Sequence, residues 1–175
     1  YGFPPLGERF AQLEEALELI SALWKDQPIE NKGRFYDLRG AVCSPQPLGL
    51  KLWIGGRVKD KTPRLAAKFA DGFNMPYVSP ELAGDRLQRV QRACDEIVRD
   101  FSEIDSSVNL GFYMNSDRKP DIAAEGSLTG GTQEAIDMIG KFRDVGIKGI
   151  NIAFRPPIDW DALQQYIEEV MPAFR

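Results

Sequence analysis

The amino-acid sequence predicts an α/β protein built on a parallel β-sheet. Between residues 50 and 154 the chain contains four short apolar runs, and a segment with helical periodicity follows each one. Alternating strands and helices of this kind form parallel sheets with right-handed crossovers. Either a doubly wound sheet or part of a barrel fits the pattern, with residues 1–175 as a single domain.

Residues 1–49 precede these four units and are expected to pack against them. A helix is predicted from Glu8, because apolar residues recur every three or four positions: Phe10, Leu13, Leu17, Ile20 and Trp24. Pro28 marks its end. Residues 29–49 are expected to form an irregular excursion, since glycine and proline interrupt every short pattern there.

The first unit runs from Leu50 to Asn74. Its apolar run, residues 50–54, predicts a short buried strand that stops at the turn Gly55-Gly56. Thr62-Pro63 is a strong start signal for the following helix, with Thr62 as its cap. Gly72 is expected to let the chain leave this helix in a left-handed conformation.

This unit also carries the features of an anion site. Gly55 and Gly56 allow a ligand to approach the backbone closely, and the helix start offers free N–H groups beside the Thr62 hydroxyl. The pattern favours a phosphate group, although an ordinary glycine turn before a capped helix has the same spacing. Three basic residues lie in the same loop: Arg57, Lys59 and Lys61.

The second unit has a strand at residues 73–78 and a helix that starts at Ser79-Pro80. Cys94 falls on the apolar stripe of that helix, so we expect a small core residue and not a nucleophile. The third strand spans residues 108–114, and a long polar loop, residues 115–131, follows it.

Two further helices complete the pattern. Thr132 is predicted to cap the first, which ends at Val145-Gly146. The fourth strand covers residues 147–154. Asp159 is predicted to cap the last helix, which Pro172 stops.

Composition excludes several classes of function. A net charge of −4 argues against a nucleic-acid surface, and no apolar run is long enough to span a membrane, so a cytoplasmic protein is expected. The sequence has no histidine, and its two cysteines lack metal-ligand spacing, so no metal site is predicted. Loops after parallel strands gather at one end of a sheet, and ligands bind there.

Several motifs resemble the luciferase-like monooxygenase family, and most of all its branch that depends on the deazaflavin F420. They occur in the family's order and extend over nearly the whole chain: GERF at 7–10, LEEALELISALW at 13–24, GRFYDL at 33–38, Cys43 with Pro45 and Pro47, WIGG at 53–56, the segment from Thr62 to ADGFN at 70–74, and GTQEAIDMIGKFRDVGI at 131–147.

The resemblance implies a (β/α)8 TIM barrel that binds F420, with the chain covering about the C-terminal four βα units. It places the phosphate-binding turn on Gly55 and Gly56, a phosphate contact on Thr62, and lesser cofactor contacts on Arg57 and Asn74. Lesser anion-site candidates are Gly130, Gly131, Thr132 and Arg155. The family's catalytic groups lie largely in the N-terminal half, so no catalytic residue is assigned here.

The resemblance leaves three hypotheses about function open. The first is an oxidoreductase that transfers hydride between F420 and an organic substrate. The second is a flavoprotein monooxygenase of the same fold that uses FMN. The third is a half-barrel without catalysis that serves as a binding or assembly module. In the assembly module, another copy of the chain would pair with the open strand edges and form a homo-oligomer. In the enzyme, an N-terminal half that is missing here would cover the same edges.

Overall fold

The computed structural model describes residues 2–25, 28–56, 60–118, 120 and 124–175. Within these residues the helices are α1 (Leu6–Leu23), α2 (Lys61–Phe69), α3 (Pro80–Glu96), α4 (Thr132–Asp144) and α5 (Trp160–Gln165). The strands are β1 (Ile29–Lys32), β2 (Asp37–Ala41), β3 (Trp53–Gly55), β4 (Gly72–Pro76), β5 (Asp105–Met114), β6 (Ser127–Gly130) and β7 (Gly149–Ala153). None of the described helices is long and apolar enough to cross a bilayer.

The main sheet is parallel, and its strand order follows the chain. β3 pairs with β4, β4 with β5, and β7 with the other side of β5. The helices also contact one another in sequence, α1 with α2, α2 with α3, and α3 with α4. A doubly wound sheet reverses its strand order and carries helices on both faces. The observed order therefore identifies part of a (β/α)8 barrel.

The two faces of this sheet differ in chemistry. One face carries buried apolar side chains that pack under the helices, among them Ile54, Phe73, Met75, Val108 and Leu110. The opposite, concave face corresponds to the inside of a barrel and carries small or polar residues, such as Asn74 and Asn151. Residues alternate between the two faces because side chains along a strand point in opposite directions.

The expectation of an irregular excursion over residues 29–49 is wrong in its first part. β1 and β2 form an antiparallel hairpin. Its turn is held by Glu15 of α1, whose carboxylate accepts hydrogen bonds from the backbone N–H groups of Arg34 (3.2 Å), Phe35 (3.1 Å) and Tyr36 (2.9 Å). A turn that depends on a side chain about 20 residues away leaves no local signal.

The predicted loop after β5 also contains regular structure. β6 pairs with the upper half of β5, from Gly111 to Met114, and its Ser127 and Leu128 are buried. Gly126 leads into this strand against the backbone of Tyr77, where an added Cβ would lie 2.6 Å from the Tyr77 Cα. The contact explains why the chain has glycine at this position.

Several predicted helix boundaries are confirmed. Ser79 caps α3 by accepting from the Leu82 N–H at 3.2 Å, and Asp159 caps α5 by accepting from the Ala162 N–H at 3.0 Å. α4 ends before Gly146, which has a φ of +94°. The last helix continues beyond Gln165 as one wider turn, and Pro172 lies in the 3-10 turn that follows.

Other predicted boundaries are wrong. Thr132 is the first residue of α4 and not its cap, because Gly131 occupies the cap position. Gly72 does not end α2, since that helix stops at Phe69 and Gly72 already belongs to β4. The Trp53 indole lies across Gly72, so any Cβ there would collide with the ring.

Removing the Glu15 carboxylate should loosen the hairpin. We expect Glu15→Ala to lower the free energy of unfolding by about 1–3 kcal/mol, because three N–H groups lose a charged acceptor. Glu18→Ala is the matched control, as Glu18 only pairs with exposed Lys68, and it should cost less than about 1 kcal/mol. Urea unfolding of both variants measures the difference. Equal costs would contradict the role given to Glu15.

Cys94 is buried in the core, as the sequence predicts, and burial raises the pKa of its thiol. Since the thiolate is the reactive form, Cys94 should resist iodoacetamide in the native protein at pH 8 and react once urea unfolds it. The more accessible Cys43 is the internal reference. Mass spectrometry of the labelled peptides reads both sites, and native labelling of Cys94 as fast as Cys43 would contradict the prediction.

Candidate functional site

Gly55 and Gly56 lie at the carboxyl end of β3, although the predicted strand of residues 50–54 is wrong in its bounds, because β3 begins only at Trp53 and includes Gly55. The Gly56 N–H donates to the Asn74 carbonyl oxygen at 3.3 Å, which holds the turn against β4. Neither glycine has a positive φ. Gly56 packs closely on Thr62, because a Cβ at position 56 would lie 3.1 Å from Cγ2 and 3.2 Å from Oγ1 of that residue.

Thr62 meets Gly56 as predicted, but it does not cap the helix. α2 begins at Lys61 after Asp60 in the cap position, so Thr62 is its second residue. Its side chain is only 4% exposed. Within the described residues its hydroxyl makes no hydrogen bond, so it can still donate to a ligand, and the free N–H groups of the first helical turn favour a negative charge nearby.

The basic residues of this loop contribute unequally. Arg57 and Lys59, which the sequence also placed near the anion site, lie outside the described residues. Lys61 stands at the first position of α2, and its Nζ lies 5.3 Å from the centre of the Phe10 ring of α1. This cation therefore helps to attach α1 beside the turn.

A cleft of about 290 Å³ opens between α1, β3 and α2. It is bordered by Leu6, Arg9, Phe10, Leu13, Ile54, Gly55, Gly56, Thr62 and Leu65. One wall is therefore apolar, and the other consists of the glycine turn and the Thr62 side chain. None of the described residues that border it is acidic, so the cleft suits a ligand with an anionic group and an apolar part.

Asn74 lies on the concave face, in register with Gly55, and belongs to a larger polar network. Its Nδ2 donates to Ser107 Oγ at 2.8 Å and to Asn109 Oδ1 at 3.0 Å. Asn151 Nδ2 donates to the same Asn109 oxygen at 3.1 Å. No local sequence signal pointed to Ser107, Asn109 or Asn151 as site residues. The alternation in VNLGFYM does, however, set Asn109 on the opposite face from the buried Val108 and Leu110.

The two lesser anion candidates lie elsewhere. The Gly131 N–H at the start of α4 donates to the Glu134 carboxylate at 3.1 Å, and the Thr132 hydroxyl donates to Glu169 at 2.6 Å. The protein's own acidic groups thus already satisfy this helix start. Arg155 borders a separate cleft of about 260 Å³ with Arg118, beyond the ends of β5 and β7.

Most of the chain matches the model of one known protein family. Residues 1–125 match the family described as luciferase-like monooxygenase. The chain belongs to this family. The match covers the whole β3–α2 unit of this luciferase-like protein.

Similar proteins include F420-dependent glucose-6-phosphate dehydrogenases from Gordonia bronchialis and Rhodococcus jostii. The one from Gordonia bronchialis is 29% identical over 128 residues, which cover 70% of this chain and 36% of the relative. F420-dependent glucose-6-phosphate dehydrogenase 1 from Rhodococcus jostii is 30% identical over 128 residues, which cover 70% of this chain and 37% of the relative. The chain therefore spans just over a third of the length of these relatives.

Solved structures of the family share the fold. An F420-dependent secondary alcohol dehydrogenase in complex with an F420-acetone adduct has a TM-score of 0.85 and 17% identity, over 99% of this chain and 64% of that one. An EDTA monooxygenase from Chelativorans has a TM-score of 0.75 and 15% identity, over 98% of this chain and 60% of that one. These likenesses place the sheet and its helices within a luciferase-like TIM barrel.

The contact between position 56 and Thr62 can be measured by a double-mutant cycle. Gly56→Ala should cost about 1–3 kcal/mol of unfolding free energy, since its Cβ presses on the Thr62 side chain. In the Thr62→Ala background both crowding atoms are gone, so the same change should cost clearly less. Gly55→Ala is the control, as its Cβ would meet the Asn74 oxygen only at 3.4 Å. Additive costs at 56 and 62 would refute the contact.

Proposed function

We propose that this chain is the C-terminal half of an F420-dependent oxidoreductase and that Gly55, Gly56 and Thr62 bind the cofactor phosphate. The observation that carries the proposal is the cradle at the end of β3. Gly56 and Thr62 border it, and a Cβ at position 56 would press on the Thr62 side chain. The first N–H groups of α2 have no partner within the helix. These donors fit a phosphate group.

When bound, F420 supplies hydride transfer to or from an organic substrate, while the protein binds and orients both molecules. The described residues contribute the phosphate cradle, the apolar wall of the cleft and the amides of the concave face. Asn74 is part of the proposed site because it is hydrogen-bonded to the glycine turn. Arg57 remains proposed from the resemblance alone, as does the organic nature of the substrate.

F420 is proposed as the cofactor because similar proteins depend on it. FMN is the alternative cofactor for the same phosphate cradle. The curated relatives from Gordonia bronchialis and Rhodococcus jostii are F420-dependent dehydrogenases. A structural neighbour of the type II Baeyer-Villiger class is in complex with FMN, with a TM-score of 0.69. Both cofactors carry a phosphate on a ribityl chain, so the cradle serves either one.

An assembly module is the second candidate, and the open edge of β3 favours it. Within the described residues β3 pairs with β4 alone, and its Trp53 is 44% exposed. Unpaired strand edges invite another strand. In the oxidoreductase an N-terminal half of the barrel would cover this edge, and in the module a second copy of the chain would do so.

The phosphate cradle is tested by titrating the chain with F420 and with FMN, followed by cofactor fluorescence. Thr62→Val removes the hydroxyl while keeping the shape, and we expect it to weaken binding about 10- to 100-fold, as for a lost hydrogen bond to a charged group. Thr62→Ser keeps the hydroxyl and should bind within a fewfold of the unmodified chain. Inorganic phosphate should compete.

Two results would count against this function. Failure of both cofactors to bind in a saturable way would reject the cofactor site. Equal affinity of the Val and Ser variants would show that the hydroxyl makes no contact with the ligand.

A further inference from the structure

Three asparagines form a row across the concave face, one on each of three neighbouring strands. Asn74 of β4 pairs in register with Ser107, and Asn109 of β5 pairs in register with Asn151 of β7. Hydrogen bonds join them into one chain of amides, from Asn74 through Asn109 to Asn151. We call these three residues the amide row.

The row occupies a position that barrels normally fill with large apolar residues. Layers of branched side chains usually close the inside of a TIM barrel. On this face several residues beside the row are small: Gly55, Ser107, Gly111 and Gly149. Asn151 is exposed and Asn74 and Asn109 are half-buried, so a ligand can reach the amides of the row.

The hydrogen bonds within the row fix which groups point outward. Asn109 Oδ1 accepts from both neighbours, which uses its two lone pairs. Its Nδ2 group therefore keeps two N–H donors that no described residue engages. The Asn74 and Asn151 side-chain oxygens likewise accept no hydrogen bond within the described residues. The row thus offers donors and acceptors side by side, without a charge.

The row is continuous with the phosphate cradle. Gly55 pairs in register with Asn74, and the Gly56 N–H donates to the Asn74 backbone oxygen. Neighbouring strands lie about 4.8 Å apart, so Asn109 lies about 10 Å from β3 and Asn151 about 14 Å. A ligand whose phosphate lies at Gly56 would reach the row with its next groups.

We propose that the amide row binds the uncharged polar part of the cofactor, namely its hydroxyl and carbonyl groups, while the cradle binds its phosphate. This proposal rests on the cofactor function proposed above. The row has no side-chain charge of its own. The nearest acid on the same face of β5 is Asp105, which Lys51 engages at 2.9 Å at the opposite end of the strand. An uncharged partner therefore suits the row.

Asn109→Asp tests the row with little disturbance of the fold. The new carboxylate still accepts from Asn74 and Asn151, and only the outward N–H donors are lost. Titrations use FMN and riboflavin, which lacks the phosphate. We expect Asn109→Asp to weaken both ligands at least about tenfold, whereas Thr62→Val should weaken FMN alone. Gln91→Glu, on the exposed outer side of α3, controls for the added charge and should change neither affinity.

Asn151→Ala is the second variant, because Asn151 is exposed and its loss leaves the core intact. It removes one outward acceptor and should weaken both ligands severalfold. Urea unfolding confirms that each variant is folded. If FMN binds normally to both variants, the amide row is refuted while the cofactor function stands. If neither F420 nor FMN binds to the unmodified chain, the cofactor function fails and the row fails with it.

Discussion

The register of β5 is the constraint on which the rest of the structure depends. This ten-residue strand pairs with β4, β6 and β7, and the alternation of its side chains gives the sheet two unlike faces. Val108 and Leu110 lie under the helices, while Ser107 and Asn109 lie on the concave face. A shift of one residue would exchange these sets, burying amides under helices and exposing the apolar core. The same alternation that builds the core therefore also places the polar residues of the site.

The two helix starts near the carboxyl ends of the strands show how one motif can serve structure or binding. At α4 the Gly131 N–H is already bonded to Glu134, and Thr132 is bonded to Glu169. At α2 the Asp60 cap makes no side-chain bond to the helix, and the Thr62 hydroxyl, which lies close to Gly56, makes no hydrogen bond within the described residues. A helix start attracts an anion only where the protein has not already provided one.

The sequence predicted the parts of the fold that depend on local chemistry. Short-range patterns predicted the alternation of strands and helices, the Ser79 and Asp159 caps and the buried Cys94. The strand order, which separates a barrel from a doubly wound sheet, appeared only in the structure. The hairpin after α1 was missed because Glu15 stabilises it from a distant helix. The prediction that Gly72 ends a helix was wrong, because the Trp53 ring on the neighbouring strand leaves no room for a side chain at position 72. The amide row needed the strand pairing, since only the register brings its three asparagines together.

The Trp53 ring across Gly72 has an optical consequence. It lies at the border of the concave face and is 44% exposed, so it samples whatever covers that face. Its indole emission should shift to shorter wavelength when the water beside it is displaced. Trp24 and Trp160 lie away from this border, at the end of α1 and the start of α5. The chain thus contains its own reporter for the closing of the barrel, without any attached dye.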